Sequence, residues 1–107
     1  MEFSKVLARA KEIRAMYAEF ETKKNGKEWT TAQIAQGFAG DVGDLMKLVM
    51  AKDGLRDDVE NLDEKLQHEL SDCLWCVMIL ADKFNINLED TFLDNMDLLE
   101  QRIKKDI

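Results

Sequence analysis

The sequence contains no proline, only two cysteines and one histidine, and few aromatic residues. The absence of proline, together with many Leu, Ala, Lys and Glu residues, favours an all-α protein. The single histidine, His68, belongs to no Glu-x-x-His pair, which argues against a ferritin-like di-iron site, and we expect it at the surface. The start of the chain lacks the basic and apolar segments of a signal peptide, so we expect a cytoplasmic location with Cys73 and Cys76 as free thiols.

Positive charge and long apolar runs are also scarce. The net charge of -7 argues against binding of a nucleic-acid polymer, because its phosphates require a basic protein surface. The longest apolar run, at residues 73–81, is far shorter than the roughly 20 residues needed to cross a bilayer, so we expect no membrane association. A chain of 107 residues fits one domain, and we predict a single helical domain over residues 1–107.

Apolar residues recur at helical spacing in four stretches, which predicts four helices joined by short loops. The first helix should run from about residue 3 to residue 22, and the second should end at residues 52–54. The third should follow residue 61 and extend to about residue 84, and the fourth should carry apolar residues as far as residue 103. The predicted cap residues are Gly26, Thr30 or Thr31 with Gln33, Asn61 with Glu64, and Asn87.

Each predicted helix has one main apolar stripe, which we expect to face a common core. In the third helix this stripe includes Leu70 and Phe84. Trp75, Met78 and Ile79 lie opposite it, so the third helix is apolar nearly all round. Such a helix must be buried on more than one side, and in so short a chain we expect the second side to form a subunit interface.

Four carboxylates accompany the apolar stripes of the second and third helices. Asp41 and Asp44 form one pair and Glu69 and Asp72 another, and both pairs hold the same register relative to the apolar residues. Residues three apart on a helix have Cβ atoms about 5–6 Å apart, so each pair can chelate a cation. Sites made only of oxygen ligands suit Mg²⁺ or Mn²⁺ rather than zinc, and Mg²⁺ often shares substrate phosphates. The pattern therefore predicts a divalent-metal site for phosphate cleavage.

Gly40 and Gly43 lie beside the first carboxylate pair, inside the predicted helix. A glycine in a helix interior costs about 1 kcal/mol relative to alanine, so we expect a compensating gain from close helix packing or from room for a ligand. The plainer interpretation is that Asp41 and Asp44 are solvated residues beside a helix interface, since carboxylates are usually exposed.

Two stretches resemble the MazG-like nucleotide pyrophosphohydrolases: Gly-Asp-Val-Gly-Asp-Leu at residues 40–45 and Glu-Leu-Ser-Asp-Cys-Leu-Trp at residues 69–75. That family carries Glu-x-x-Glu, a spacer and Glu-x-x-Asp on two helices, and the similarity extends roughly from residue 29 to residue 102. The resemblance implies an all-α NTP pyrophosphatase whose four-helix chain forms a homodimer or homotetramer. It also implies Mg²⁺-dependent hydrolysis of nucleoside triphosphates, deoxynucleotides or non-standard ones, to monophosphate and pyrophosphate.

The family's functional residues map onto matching positions of this chain. The metal ligands and catalytic residues implied are Asp41, Asp44, Glu69 and Asp72. The substrate-binding residues implied are Trp29 at the base and, in the last helix, Asn95 and Arg102. Arg102 or a lysine from residues 23–27 would neutralise the outer phosphates.

The chain departs from the family pattern at two places. Asp41 and Asp44 replace glutamates, which could move the metals, narrow the substrate range or weaken activity. Cys76 stands where relatives often carry an aromatic residue, so base selection could differ. Two alternative functions therefore stay open: a non-catalytic helical dimerisation or regulatory module, and a pyrophosphohydrolase of a phosphoribosyl-nucleotide.

Overall fold

Four α-helices make up most of the chain in the computed structural model, which describes residues 2–106. The helices are α1 Phe3–Asn25, α2 Thr31–Lys52, α3 Leu62–Lys83 and α4 Leu88–Asp106. No strand occurs among the described residues, so the all-α prediction is confirmed. None of the described helices is both long and apolar enough to cross a membrane.

Local capping signals set most of the helix ends. Gly26 adopts the predicted left-handed conformation after α1, with φ 83°. Thr30 and Gln33 form a complete capping box at the start of α2, and Asn87 Oδ1 accepts the backbone N–H of Asp90 at 3.1 Å in α4.

The predicted cap at Asn61 is wrong. This residue occupies the N-cap position of α3 with φ 56° and ψ 39°, and its side chain makes no capping hydrogen bond. A capping side chain normally acts from an extended backbone, whereas the left-handed backbone, which asparagine tolerates well, directs it elsewhere.

The core lies where α1 and α2 pack against α3. Its buried residues are Ala10 from α1, Ile34 from α2, and Met78 and Ile79 from α3. The indole of Trp75 packs against them and donates its Nε1–H to the backbone carbonyl of Ala10 at 3.0 Å. Trp75 therefore ties α3 to the backbone of α1 as well as to its side chains.

The buried side of α3 differs from the predicted one. Met78 and Ile79 are buried inside the chain, so the prediction that they form a subunit interface is wrong. Leu70 and Phe84, which we placed in the core stripe, are 52% and 65% exposed. Because α3 is apolar on two sides, hydrophobic periodicity alone cannot decide which side α1 and α2 cover.

Helix α4 stands largely apart from the other three helices. None of its residues is buried, and only Leu88 at its start packs against the core. Its exposed apolar residues are Phe92, Leu93, Met96, Leu98, Leu99 and Ile103. The Cα radius of gyration is 17.0 Å, whereas a compact chain of this length has a value of roughly 13 Å. The predicted apolar stripe of α4 is therefore present but has no counterpart within the described chain.

Candidate metal centre and adjoining cavities

Three of the four predicted carboxylates meet where α2 faces α3. Asp41 and Asp44 lie one turn apart on α2, and Glu69 lies on α3. One carboxylate oxygen from each residue lies within 4.8 Å of the other two. Three oxygen ligands from two helices can hold a cation such as Mg²⁺, which completes its coordination with water or phosphate oxygens.

The side chain of Glu69 is the member of this group that most needs a positive partner. Its Oε2 atom is buried and has no hydrogen-bond partner among the described residues. Burial raises the pKa of the Glu69 carboxyl, and the negative charges of Asp41, Asp72 and Asp44 raise it further. A buried carboxylate beside like charges is unfavourable unless a positive charge compensates it. The residues therefore fit a divalent cation with oxygen ligands.

Asp72, the fourth predicted ligand, lies beside this group and is not one of its converging members. Its Oδ2 lies 3.2 Å from Nε2 of His68, one turn earlier on α3. The side chain of His68 is 74% exposed, which confirms its predicted surface position. Asp72 still adds to the negative potential at Glu69, because its charge helps to raise the pKa of that carboxyl.

An open cleft of about 740 Å³ extends from Asp44 and Glu69 along the loop between α2 and α3. Three cationic side chains, Lys47, Arg56 and Lys65, line this cleft together with four carboxylates: Asp44 and Glu69 on the helices, and Asp57 and Asp58 in the loop. The cleft therefore presents both cation ligands and anion ligands.

These three cations were not predicted from the sequence. Residues 23–27 and Arg102 were expected to bind the phosphates, and Lys47, Arg56 and Lys65 had no expected role. A signal was present for two of them, since Lys47 follows Asp44 by three residues and Lys65 precedes Glu69 by four. Residues at that spacing share one side of a helix.

A second, more enclosed cavity of about 220 Å³ also reaches Asp41. We call it the ring cavity: its walls include the indoles of Trp29 and Trp75 and the aliphatic chains of Ile34 and Ile79, and its polar groups include Arg14 and Asp41. Its volume lies below the roughly 300–1,000 Å³ of typical ligand sites, so it has room for part of a ligand, such as one ring system.

Trp29 reaches the ring cavity from the loop before α2. A Cβ built on Gly37 would meet Cζ3 of the Trp29 ring at 3.4 Å, so the ring lies directly against the glycine backbone. The side chain of Trp29 remains 44% exposed. The structure thus places the residue predicted to touch the base in a cavity that also contains Asp41.

A buried ion pair supports the ring cavity from α1. Glu21 is buried, and its Oε1 accepts hydrogen bonds from Nη2 of Arg14 and, at 2.9 Å, from the backbone N–H of Trp29. The hydrogen bond from Arg14 holds the pKa of the Glu21 carboxyl below its usual value, against the opposing effect of burial. The Nε–H of Arg14 is buried without a hydrogen-bond partner among the described residues. Neither Arg14 nor Glu21 was predicted from the sequence to belong to a site.

Cys76 connects the ring cavity to the carboxylates. Its Sγ–H donates to Oδ2 of Asp41 at 3.7 Å. Burial, and then the charge of Asp41, raise the pKa of the Cys76 thiol to about 11. Cys73 and Cys76 are both free, as predicted, and Cys76 is a protonated thiol at neutral pH.

The two predicted substrate residues of α4 are not brought to the carboxylates within the chain. Asn95 is exposed and lines neither the cleft nor the ring cavity. Arg102 is also exposed, and it borders a shallow surface formed by α4 residues such as Leu99 and Ile103.

Gly40 and Gly43 face open space. A Cβ built at either position meets no atom of a neighbouring element within 4 Å. Tight packing within the described chain therefore does not explain these glycines.

Comparison with protein-family models, with curated proteins and with solved structures found no match to this chain.

Proposed function

We propose that the protein hydrolyses nucleoside triphosphates, deoxynucleotides or non-standard ones, to monophosphate and pyrophosphate with Mg²⁺ or Mn²⁺. One observation carries the proposal: the cleft that contains the unpartnered carboxylate of Glu69 also contains Lys47, Arg56 and Lys65. Acidic ligands alone would suit a cation, and basic ones alone would suit an anion. A site with both suits a metal–polyphosphate complex.

The carboxylates and the cations have separate roles in this proposal. Asp41, Asp44 and Glu69 would hold the metal, with Asp72 beside them. Mg²⁺, when bound, supplies a lowered pKa for a water ligand and neutralises charge on the phosphates.

The reaction follows from these positions. Lys47, Arg56 and Lys65 would bind the outer phosphates, which would leave the α-phosphorus beside Asp44 and Glu69. A water oxygen attacks that phosphorus while a carboxylate of the cluster takes the water's proton. The bond to the bridging oxygen breaks, and pyrophosphate leaves with its negative charge stabilised by the basic side chains.

The nucleobase would occupy the ring cavity. Asp41 belongs to both the carboxylate group and the ring cavity, so a ligand that fills both has its ring next to its α-phosphate. This is the order of parts in a nucleotide. Trp29 and Trp75 would contact the faces or edges of the ring.

We further propose that a second copy of the chain covers α4, giving the homodimer or homotetramer of a MazG-like helical bundle. The support is the exposed apolar residues of α4 and the radius of gyration of 17.0 Å. A helix with that much apolar surface normally has a partner. In such an assembly Asn95 and Arg102 would approach the carboxylates of the other copy.

The test is incubation of the protein with Mg²⁺ and a panel of nucleoside triphosphates and phosphoribosyl-nucleotides, with the products separated by chromatography. We expect monophosphate and pyrophosphate from one or more triphosphates, and no turnover when EDTA replaces Mg²⁺. If no substrate of the panel is turned over, the result would favour the non-catalytic helical module. The exposed apolar side of α4 is also consistent with such a module. Turnover of only a phosphoribosylated nucleotide would favour the other alternative, a pyrophosphohydrolase of a phosphoribosyl-nucleotide.

A further inference from the structure

The ring cavity contains polar groups that could distinguish one ring from another. Most of its walls are apolar, so the few polar atoms decide which ring edges are accepted. In the proposed function Asp41 is engaged by the metal, and it already accepts the thiol hydrogen of Cys76. Trp75 has its Nε1–H committed to the carbonyl of Ala10. Arg14 is the charged group of the cavity that remains for the ring.

The guanidinium of Arg14 keeps donor capacity beyond its ion pair. Its Nη2 is held by Glu21, its Nε–H is buried without an acceptor among the described residues, and its side chain lines the ring cavity. A ligand oxygen that reaches this guanidinium gains a hydrogen bond to a charged donor. Arginine has five N–H donors and no acceptor, so it can satisfy a carbonyl oxygen but not an amino group.

Glu21 keeps this donor in place. It binds both Arg14 and the backbone N–H of Trp29, so one carboxylate positions the charged wall and the aromatic wall of the cavity together. The side chains of Arg14 and Glu21 are 11% and 9% exposed, which leaves little freedom for the pair to turn towards solvent.

We infer that Arg14 is a specificity-determining residue that selects rings presenting a carbonyl oxygen over rings presenting an amino group in its place. This inference rests on the proposed function and names its substrate class: nucleotides of oxo-bases such as uracil or hypoxanthine, in preference to cytosine or adenine. An amino group at the same position would place donor against donor.

Matched substrate pairs test the inference directly. The triphosphates of uracil and cytosine nucleosides differ in one oxo-for-amino exchange, as do those of hypoxanthine and adenine nucleosides. A hydrogen bond to a charged donor corresponds to roughly ten- to hundredfold in affinity. We expect kcat/KM to favour the oxo member of both pairs by at least about tenfold. Equal values within both pairs, with turnover intact, would overturn the inference while leaving the proposed function standing.

A double variant shows whether Arg14 is responsible. Arg14→Met with Glu21→Gln removes both charges together and retains an acceptor for the Trp29 N–H. Its oxo-to-amino ratios should fall to near one, whereas a purely structural role would lower all rates and leave the ratios unchanged. The control is Lys11→Met with Asp82→Asn, which removes an ion pair, 3.3 Å long, between α1 and α3 outside the ring cavity. The control should keep the wild-type ratios.

A binding measurement separates failure of the inference from failure of the proposed function. Nucleoside monophosphates of the same two pairs are titrated into the wild-type protein without metal, and the fluorescence of Trp29 and Trp75 is followed. Tighter binding of both oxo members supports the inference even if no triphosphate is hydrolysed. Equal affinities, or no binding of either member, would overturn it without requiring a variant that folds.

Discussion

The paired helices α2 and α3 contrast with α4, although all three carry regular apolar stripes. Polar groups line the junction of α2 and α3, where Asp41, Asp44 and Glu69 converge beside two cavities. Helix α4 has no buried residue and leaves its apolar side uncovered. The α2–α3 junction therefore has the features of a ligand site within one chain, whereas α4 has the features of an interface between chains.

This contrast teaches that burial and polarity must be considered together. Charged groups at the edge of an apolar stripe indicate a ligand site when they converge. Glu69 is an example, because its Oε2 has no hydrogen-bond partner among the described residues. An apolar stripe without convergent charges indicates a protein interface when no other part of the described chain covers it, as in α4. Substitutions in the two regions test this difference, and the largest effect is expected at the carboxylates.

The largest effect is expected for activity when the carboxylate group is broken. Removing a group that only supports a metal ligand lowers metal affinity or activity by about 10–100-fold. Glu69→Gln removes a ligand itself, so it should lower kcat/KM by more than about a hundredfold. Pyrophosphate release at saturating Mg²⁺ is the measurement, with circular dichroism to verify the helices. Glu19→Gln, an exposed acid of α1, is the matched control and should retain wild-type activity. Full activity in Glu69→Gln would remove the carboxylates from the mechanism.

The second effect concerns assembly through α4. Leu99 is 42% exposed within the chain, so Leu99→Asp should disturb the single chain little. If a second copy covers this side, the new charge becomes buried in the interface, which is strongly unfavourable. We expect the wild type to sediment as a dimer or tetramer and Leu99→Asp as a monomer at micromolar concentration. The control is Gln101→Asp, which introduces the same charge elsewhere on α4 and should remain a dimer or tetramer. A monomeric wild type would contradict the prediction.

The third effect concerns stability and compares ion pairs in the two regions. Glu21→Gln leaves Arg14 buried without its counter-ion and should cost about 3 kcal/mol of unfolding free energy. Glu100→Gln removes the exposed pair with Lys104 in α4 and should cost less than about 0.5 kcal/mol. Urea denaturation at neutral pH measures both, and similar costs would refute the proposed difference between the regions.

Acid titration provides a further check on the Glu21 pair. The folded-state pKa of Glu21 is lowered, so its contribution to stability is present above the unfolded pKa and is lost as pH falls towards the folded value. The wild type should therefore lose stability in acid more steeply than Glu21→Gln does.

The smallest effect is expected in the metal-free carboxylate group. Glu69→Gln removes repulsion from neighbouring acids and should raise the unfolding free energy in EDTA by about 0.5–1 kcal/mol at pH 7. Since the folded-state pKa of Glu69 is raised, the wild type should gain relative stability as pH falls, and the difference between the proteins should shrink. Urea denaturation in EDTA across that pH range is the measurement. A large loss of stability in the variant would argue for a structural role of the Glu69 charge.

Local patterns predicted the features that depend on neighbouring residues. Gly26, the Thr30–Gln33 box and Asn87 all lie at helix ends as predicted, because caps act within one turn. The convergence of Asp41 and Asp44 with Glu69 was also predictable, since each helix fixes its own register and the two helices needed only to face each other.

Features that depend on how helices pair could not be predicted. Two sides of α3 are apolar, so periodicity could not select the one carrying Met78 and Ile79. The contact of Glu21 with the Trp29 N–H depends on how the chain turns after α1, which no spacing rule contains. Asn61 likewise fits a capping pattern found at many helix starts, but its backbone is left-handed and its side chain makes no capping hydrogen bond.

The double attachment of Glu21 also has a consequence for how a ligand gets in. The connection between α1 and α2 is fastened to α1 through the Trp29 N–H, which limits how far this wall of the ring cavity can move. A nucleotide whose ring enters the cavity past Asp41 would bring its charged tail to the carboxylates last.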